Sequence, residues 1–303
     1  MKRILILLAL LTLLVGNFAR AQQVAAPRYT LTLPAAEAAA AESTVQFIGT
    51  ATVLIRYQGL TILTDPNFLH KGDHVHLGYG LTSERLTNPA IEFEALPPID
   101  LVLLSHLHED HFDKLVQEKL DRNVPIVTTA SATGKLRDLG FTKVYGLETW
   151  EALQVTKGAT SLRLTSMPGR HGPLAVAALL PSVMGTMLDF DGAGKYRMYV
   201  SGDTMVYDDI DEIPRRFPGI DLALLHLGGT RILGLVTVTM DAKEGVRMLR
   251  LIAPQRAIPI HYNDYTVFKS PLSEFQQAVE EAGLADKVSY LKHGETYRFT
   301  PRR

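Results

Sequence analysis

The chain has 303 residues, 46% of them hydrophobic and 21% charged, with a formal net charge of −1 and no cysteine. That length can bury one large core or two modest ones. The near-neutral balance, with no basic run, argues against a nucleic-acid partner, and the lack of thiols excludes disulfides, a lipid-modified cysteine and thiolate metal ligands.

Residues 1–21 read as a signal peptide. Lys2 and Arg3 precede the apolar run Ile4–Val15, and Ala19-Arg20-Ala21 has the small-x-small form of a peptidase site. The run is shorter than the roughly 20 apolar residues that span a bilayer. The expectation is therefore cleavage before Gln22 and export, to the periplasm in a bacterium, with no membrane anchor left behind. Cleavage takes the net charge from −1 to −4, because Lys2, Arg3 and Arg20 leave and no acid does. Residues 22–42, with the Ala-rich stretch Pro34–Ala41, are set apart as an N-terminal extension, and 43–303 as one folded domain.

Short apolar runs bounded by Gly, Pro, Asn or Asp come next. Val45–Ile48, Thr52–Tyr57 and Thr61–Thr64 read as antiparallel strands, with Gln58-Gly59 as a tight turn. Asp100–Ser105 reads as a fully buried strand, Lys114–Leu120 as a helix, Pro125–Thr128 as a strand, and Ser131–Leu139 as a helix closed by Gly140. In the second half Leu162–Met167, Met184–Phe190, Tyr196–Ser201 and Asp221–Leu225 read as strands. Helix Asp241–Ile252 has Val246, Leu249 and Ile252 on one stripe; strand Ala257–Ile260, helix Pro271–Ala282 and strands near Val288–Leu291 and Thr296–Phe299 complete the chain. The fold class is α/β, with two β-rich halves covered by helices.

The chemistry is concentrated in Ser105–Asp113, SHLHEDHFD, directly after a buried strand. His106 and His108 lie two apart, so an extended backbone sends both imidazoles to one face, and Asp110 and His111 come where the chain turns. Imidazole with carboxylate suits zinc, and also iron or manganese. A solvated polar loop is the plainer alternative, and it suits Glu109 and Asp113. Three more strand ends deliver donors: His171 in MPGRHG, Asp203 in SGDT and His261 in IPIHY. Each alone is an ordinary turn residue; together they make an active edge.

This ordered set resembles the metallo-β-lactamase superfamily of metal-dependent hydrolases. The resemblance covers nearly all of the chain beyond the leader and implies a four-layer αββα sandwich with the site at one edge of two sheets. It implies that His106, His108 and His171 hold one divalent cation, that Asp110, His111 and His261 hold a second, and that Asp203 bridges them. Zinc is the expected metal, with manganese or iron as alternatives. The phrases TDPNF, LPPID, SHLHEDHFD and SGDT are similar to the branch containing ascorbate-6-phosphate lactonase and N-acyl-phosphatidylethanolamine phospholipase D. That branch implies hydrolysis of an ester, lactone or phosphodiester by a metal-activated hydroxide. The chain departs from it at Leu225-His226-Leu227-Gly228-Gly229, where those enzymes read LPIG.

Within this scheme Asp110 orients the nucleophile and relays its proton. His226 is a candidate donor to an oxyanion or leaving group, with a loop or supporting histidine as the commoner fate. Asp65 is expected to hold a ligand histidine by its ring N–H rather than bind metal, and Tyr262, Asn263 and Asp264 are expected either to line the pocket or to form a turn. His74-Val75-His76 repeats the H-x-H spacing with no acid after it and is read as pocket rim or surface, with substrate contact as the lesser alternative, while His70 and His293 are read as surface or loop histidines. The uncharged run Gly172–Pro181, broken by Gly and Pro, reads as a loop roofing the pocket, which favours a small-molecule substrate with a lipophilic part. Core packing or a dimer contact would explain the run equally well. Two other functions remain open from sequence: a non-catalytic metal-binding sensor on the same fold, and an iron-dependent redox enzyme.

Overall fold

The computed structural model describes residues 26–35, 42–78, 80–232 and 235–303, so the expected leader lies outside the described residues. The first half runs β1 (Tyr29–Leu33), β2 (Ser43–Gly49), β3 (Thr52–Tyr57), β4 (Leu60–Thr64), β5 (His74–His76), β6 (Thr82–Glu84), β7 (Leu101–Leu103), α1 (Lys114–Lys119), β8 (Ile126–Thr129), α2 (Thr133–Asp138) and β9 (Val144–Leu147). The second half runs β10 (Ala152–Lys157), β11 (Thr160–Met167), α3 (Leu174–Ala177), β12 (Gly185–Asp191), β13 (Lys195–Val200), α4 (Glu212–Arg216), β14 (Leu222–His226), β15 (Arg231–Ile232), β16 (Val236–Thr237), α5 (Ala242–Ile252), β17 (Arg256–Ile260), α6 (Leu272–Glu281) and β18 (Thr296–Arg298).

Two seven-stranded sheets dominate, one ordered β18-β2-β3-β4-β7-β8-β9 and the other β1-β10-β11-β12-β13-β14-β17. Their facing sides share one core, in which Val53, Ile55 and Leu103 of the first sheet meet Leu162, Leu188 and Ile258 of the second. Each outer face carries its own helices. Leu54, Val102 and Ile126 pack under Val116 and Leu136 on one side, and Tyr199, Ala223 and Leu225 pack under Val246, Leu249, Phe275 and Val279 on the other. Helix, sheet, sheet, helix is the four-layer sandwich expected.

Local chemistry explains the elements that matter for the site. The β3–β4 hairpin turns at Gln58 (φ 45°) and Gly59 (φ 88°), the paired left-handed residues of a tight two-residue turn. In α5 the Asp241 side chain accepts from the N–H groups of Lys243 and Glu244, both at 3.0 Å, and caps the first turn.

Three expectations change. Tyr29–Leu33, placed in the extension, is an alternating strand that pairs in parallel with β10, so this part of residues 22–42 belongs to the domain. No strand forms at Val288–Leu291; Val288 makes only an isolated bridge to Ala257, because that stretch passes the edge of β17 before returning to the first sheet as β18. Gly172–Pro181 contains one helical turn, α3, with no buried residue. Among the described residues no helix is long and apolar enough to cross a membrane.

Candidate metal centre

Strands β4 and β7 run parallel in the first sheet, as do β13, β14 and β17 in the second; β11 shares their direction because it is antiparallel to β12, itself antiparallel to β13. Their C-terminal ends therefore open on one edge, where ligand sites of such sheets form. Asp65 leaves β4, the 104–113 loop leaves β7, His171 comes after β11, Asp203 after β13, His226 ends β14 and His261 comes after β17.

The 104–113 loop curls because the N–H groups of His111 and Phe112 both donate to the carbonyl of His108, at 3.1 and 2.9 Å. Asp113 locks its end. Its carboxylate caps α1 through the Val116 N–H at 2.8 Å and accepts the N–H groups of Phe68 and Leu69. Asp113 is thus fully buried rather than solvated.

The structure brings the seven expected ligands into two groups. The ring nitrogens of His106, His108 and His171 lie within 4.8 Å of one another, as do donor atoms of Asp110, His111, Asp203 and His261. In the first group His106 Nε2 and His108 Nδ1 approach to 2.9 Å. In the second, His111 Nε2 lies 3.3 Å from Asp203 Oδ2 and 3.9 Å from Asp110 Oδ2. His261 Nε2 lies 3.5 Å from Asp110 Oδ2 and 3.6 Å from Asp203 Oδ2.

Three imidazoles are held from behind. His171 Nδ1 donates to the carbonyl of Val238 at 2.8 Å and His261 Nδ1 to that of Leu227 at 3.0 Å, while His111 Nδ1 lies 3.3 Å from Asp65 Oδ2 and 3.5 Å from Ser105 Oγ. The carbonyl bonds place the proton on Nδ1, and all three contacts aim Nε2 at the site. Four atoms of the second group, Asp110 Oδ1, His111 Nε2, Asp203 Oδ1 and His261 Nε2, are buried without any hydrogen-bond partner. Buried polar atoms rarely stay unpaired, and four converging together is what a cation's donor set requires. The residues fit a metal.

Backbone strain supports the arrangement. Asp65 (φ 34°) and His261 (φ 62°) hold left-handed conformations that side-chain-bearing residues rarely adopt. Before Asp203, Gly202 sits at φ 62°, and a Cβ there would lie 2.6 Å from the carbonyl oxygen of Met184. Only glycine fits that turn.

Burial lowers His106 well below the ordinary histidine value, with the neighbouring His111 and His108 adding to it. Burial and His171 bring His108 down to about 4, and burial lowers His171 too. The second group behaves oppositely. Burial pushes His111 down, but the carboxylates of Asp203, Asp110 and Asp65 outweigh it and hold His111 well above its usual value; His261 is raised for similar reasons. Burial opposes ionisation of Asp203 and Asp110, yet His261 and His111 hold Asp203 well below the carboxylate range and His111 holds Asp110 at about 2.

The remaining site candidates divide. Asp65 lies 3.3 Å from His111, one of the histidines expected to be a ligand. His226 is fully buried, with Nε2 3.3 Å from Asp65 Oδ2 and Nδ1 3.2 Å from Ser201 Oγ, so both ring nitrogens are engaged away from the pocket. That corrects its reading as a donor to substrate. Tyr262 is not a pocket residue either: its ring packs in the inter-sheet core against Phe47 and its hydroxyl donates to the carbonyl of Leu291 at 3.2 Å. Asn263 turns outward, its Oδ1 accepting the first N–H of α6 from Leu272 at 3.2 Å. Asp264 is buried and pairs with His293 at 3.2 Å. His76 sits at a groove rim, 3.0 Å from Glu109.

Sequence reasoning missed much of the pocket wall. A small cavity of about 20 Å³ beside His108, Asp110, His171 and Asp203 is walled by Leu77, Leu81, Leu180, Ile232, Val238 and Val267. A wider groove of about 720 Å³ shares Leu77, His108 and Leu180 with it. Several of these walls come from the small hairpins β5–β6 and β15–β16, whose apolar residues carry no periodic signal.

A family model for the beta-lactamase superfamily domain matches residues 61–262, a span holding every residue of both donor groups. The chain belongs to the metallo-β-lactamase superfamily. It is 30% identical over 214 residues to a UPF0173 metal-dependent hydrolase of Archaeoglobus fulgidus, covering 66% of this chain and 82% of that one. It is also 27% identical over 264 residues to UPF0173 protein YddR of Bacillus subtilis, covering 83% and 98% of the two chains. The crystal structure of an isothiocyanate hydrolase from Delia radicum gut bacteria shares the fold, with a TM-score of 0.72 at 22% identity over 84% of this chain and 99% of that one. This member of the superfamily is accordingly a metal-dependent hydrolase, and its clustered His and Asp residues suit divalent metal.

Proposed function

We propose that this hydrolase is exported, holds two divalent cations, zinc foremost, and cleaves an ester, lactone or phosphodiester bond in a small molecule with a lipophilic part. The carrying observation is the donor set: three imidazoles in one group, two imidazoles and two carboxylates in the other, with four buried donor atoms otherwise unpartnered. Divalent cations bound there would bring the pKa of a coordinated water from 15.7 toward about 7 and polarise the bond under attack.

The chain's own residues supply orientation and proton handling. Asp110 lines the cavity and stays ionised, so the carboxylate oxygen not used on a cation can orient the nucleophile and relay its proton to the leaving group. Val238, Leu227 and Asp65 hold three imidazoles with Nε2 turned to the site. The leucine and valine walls limit water and favour an apolar substituent.

Metal analysis of protein purified without added metal, with an ester, lactone, phosphodiester and isothiocyanate panel, tests the reading. Expected are about two equivalents per chain and turnover abolished by chelator. Full occupancy without turnover of any probe would favour a metal-binding protein, and bound iron with oxygen consumption a redox enzyme. For the lipophilic part, each added acyl methylene should gain up to about 0.8 kcal/mol. Leu179→Ser/Leu180→Ser should flatten that trend, since both residues line the groove; a profile already flat in the wild type points to a small polar substrate.

A further inference from the structure

Strand β14 is buried at every position, and its last residue is a histidine among leucines. A polar ring in that setting is costly unless its nitrogens have polar partners. Both do. His226 Nε2 meets Asp65 Oδ2 at 3.3 Å, and Nδ1 meets Ser201 Oγ at 3.2 Å, while the His226 backbone N–H donates to that same hydroxyl at 2.9 Å. A carboxylate only accepts, so Nε2 carries the proton toward Asp65 whichever way the serine hydroxyl turns.

Asp65 is the hub. Its Oδ1 accepts the Ser105 N–H at 2.7 Å, directly before ligand His106, and its Oδ2 is shared by His226 and by His111 Nδ1, each at 3.3 Å. The His111 and His226 rings lie nearly parallel, 6.0 Å apart and 12° out of plane. Asp65 comes directly after a strand of the first sheet, and His226 ends a strand of the second. The two sheets therefore carry different metal ligands and are joined beneath the site through one carboxylate oxygen.

We infer that His226 is a positioning residue: by donating to Asp65 it fixes the carboxylate that in turn holds His111 with Nε2 facing the Asp110–Asp203–His261 group. The inference rests on the metal-site reading above. Without His226, Asp65 keeps its Ser105 contact but loses the donor that anchors Oδ2 to the second sheet, and His111 is free to tilt.

The test compares His226→Ala, His226→Gln and Ser201→Ala, with circular dichroism confirming folding. Cobalt is titrated into each against a chromophoric chelator while the visible spectrum is recorded. For His226→Ala the cobalt equivalent of the His111 group should weaken roughly 10–100-fold with an altered spectrum, while the His106–His108–His171 equivalent changes by less than about threefold. Gln, whose amide N–H can reach Asp65, should restore most of the loss, and Ser201→Ala should fall between. Unchanged affinities and spectra in folded His226→Ala, or a Gln variant as damaged as Ala, would overturn the inference. If wild type itself binds no second equivalent, the two-metal reading fails instead. The inference then still faces ring-nitrogen NMR of metal-free wild type, where His226 Nε2 and His111 Nδ1 should carry the protons; an unprotonated Nε2 on His226 overturns it whether or not any variant folds.

Discussion

The two donor groups share one edge, similar burial and several ligand types, yet they are electrically opposite. His106, His108 and His171 are surrounded mainly by other imidazoles, so burial wins and they stay neutral with lone pairs available. His111 and His261 face Asp110 and Asp203, and there the carboxylates win, so the metal-free group is a compact ion cluster. The same residue type becomes a ready ligand in one place and a stored proton in the other. The partner decides which.

Removing a ligand is the harshest way to break this comparison. His106→Ala and His261→Ala should each deplete metal and abolish turnover, a larger loss than the roughly 10–100-fold caused by loss of a supporting partner. Metal analysis should find His74→Ala and His76→Ala unchanged. Either of those depleting metal as strongly as His106→Ala would put the site in the wrong place.

The next contrast is in pH. Metal entering the His111 group must displace protons from two imidazoles whose affinity for them is raised, so its binding should strengthen by about tenfold per pH unit for each proton released. The all-imidazole group should show little pH dependence from neutrality down to the region where His108 titrates, about 4. Calorimetry in buffers of different ionisation enthalpy reads the protons directly, and equal release from both sites would erase the distinction.

Gly202→Ala should damage one group selectively. The substitution strains a φ of 62° and pushes a Cβ against the Met184 carbonyl, displacing Asp203. A cost of about 1–3 kcal/mol is expected, or about 2–4 °C of Tm per kcal/mol. Cobalt spectra should change for the group containing Asp203 more than for the histidine triad.

Acid unfolding of the metal-free protein gives the smallest effect. His108 has a folded value near 4, below its unfolded value of about 6.5. The unfolded chain thus binds more protons between those limits, and stability should fall as pH drops through that window. The Asp110 contribution is present above its unfolded value of about 3.9 and is lost only as pH falls toward about 2. Chelator-treated protein melted across this range should therefore lose stability in two stages, and His108→Gln should shrink the upper one, to which the other lowered histidines, His106 and His171, also contribute.

Much of the site was legible from residue order alone. SHLHEDHFD, MPGRHG, SGDT and IPIHY each place a donor immediately after an apolar run, and a strand that ends at a sheet edge must present its next residues there. The helix over Asp241–Ile252 was equally legible, because capping and a 3.6-residue stripe are properties of the segment itself. Residue order could not decide the relations between distant segments. Nothing local tells Tyr29–Leu33 that its partner is β10 rather than solvent, although the alternation is there to be used. Tyr262 and Asn263 trail a ligand in sequence, but the left-handed turn at His261 and Asn263 sends one ring into the core and the other side chain to the start of α6. His226 could be read as a donor to substrate or as a supporting histidine until the closed sheets set it against Asp65, 161 residues away. Periodicity, turns and donor chemistry are short-range and survive in the sequence; which buried polar group satisfies which other is settled only when the two sheets close and exclude water from between them.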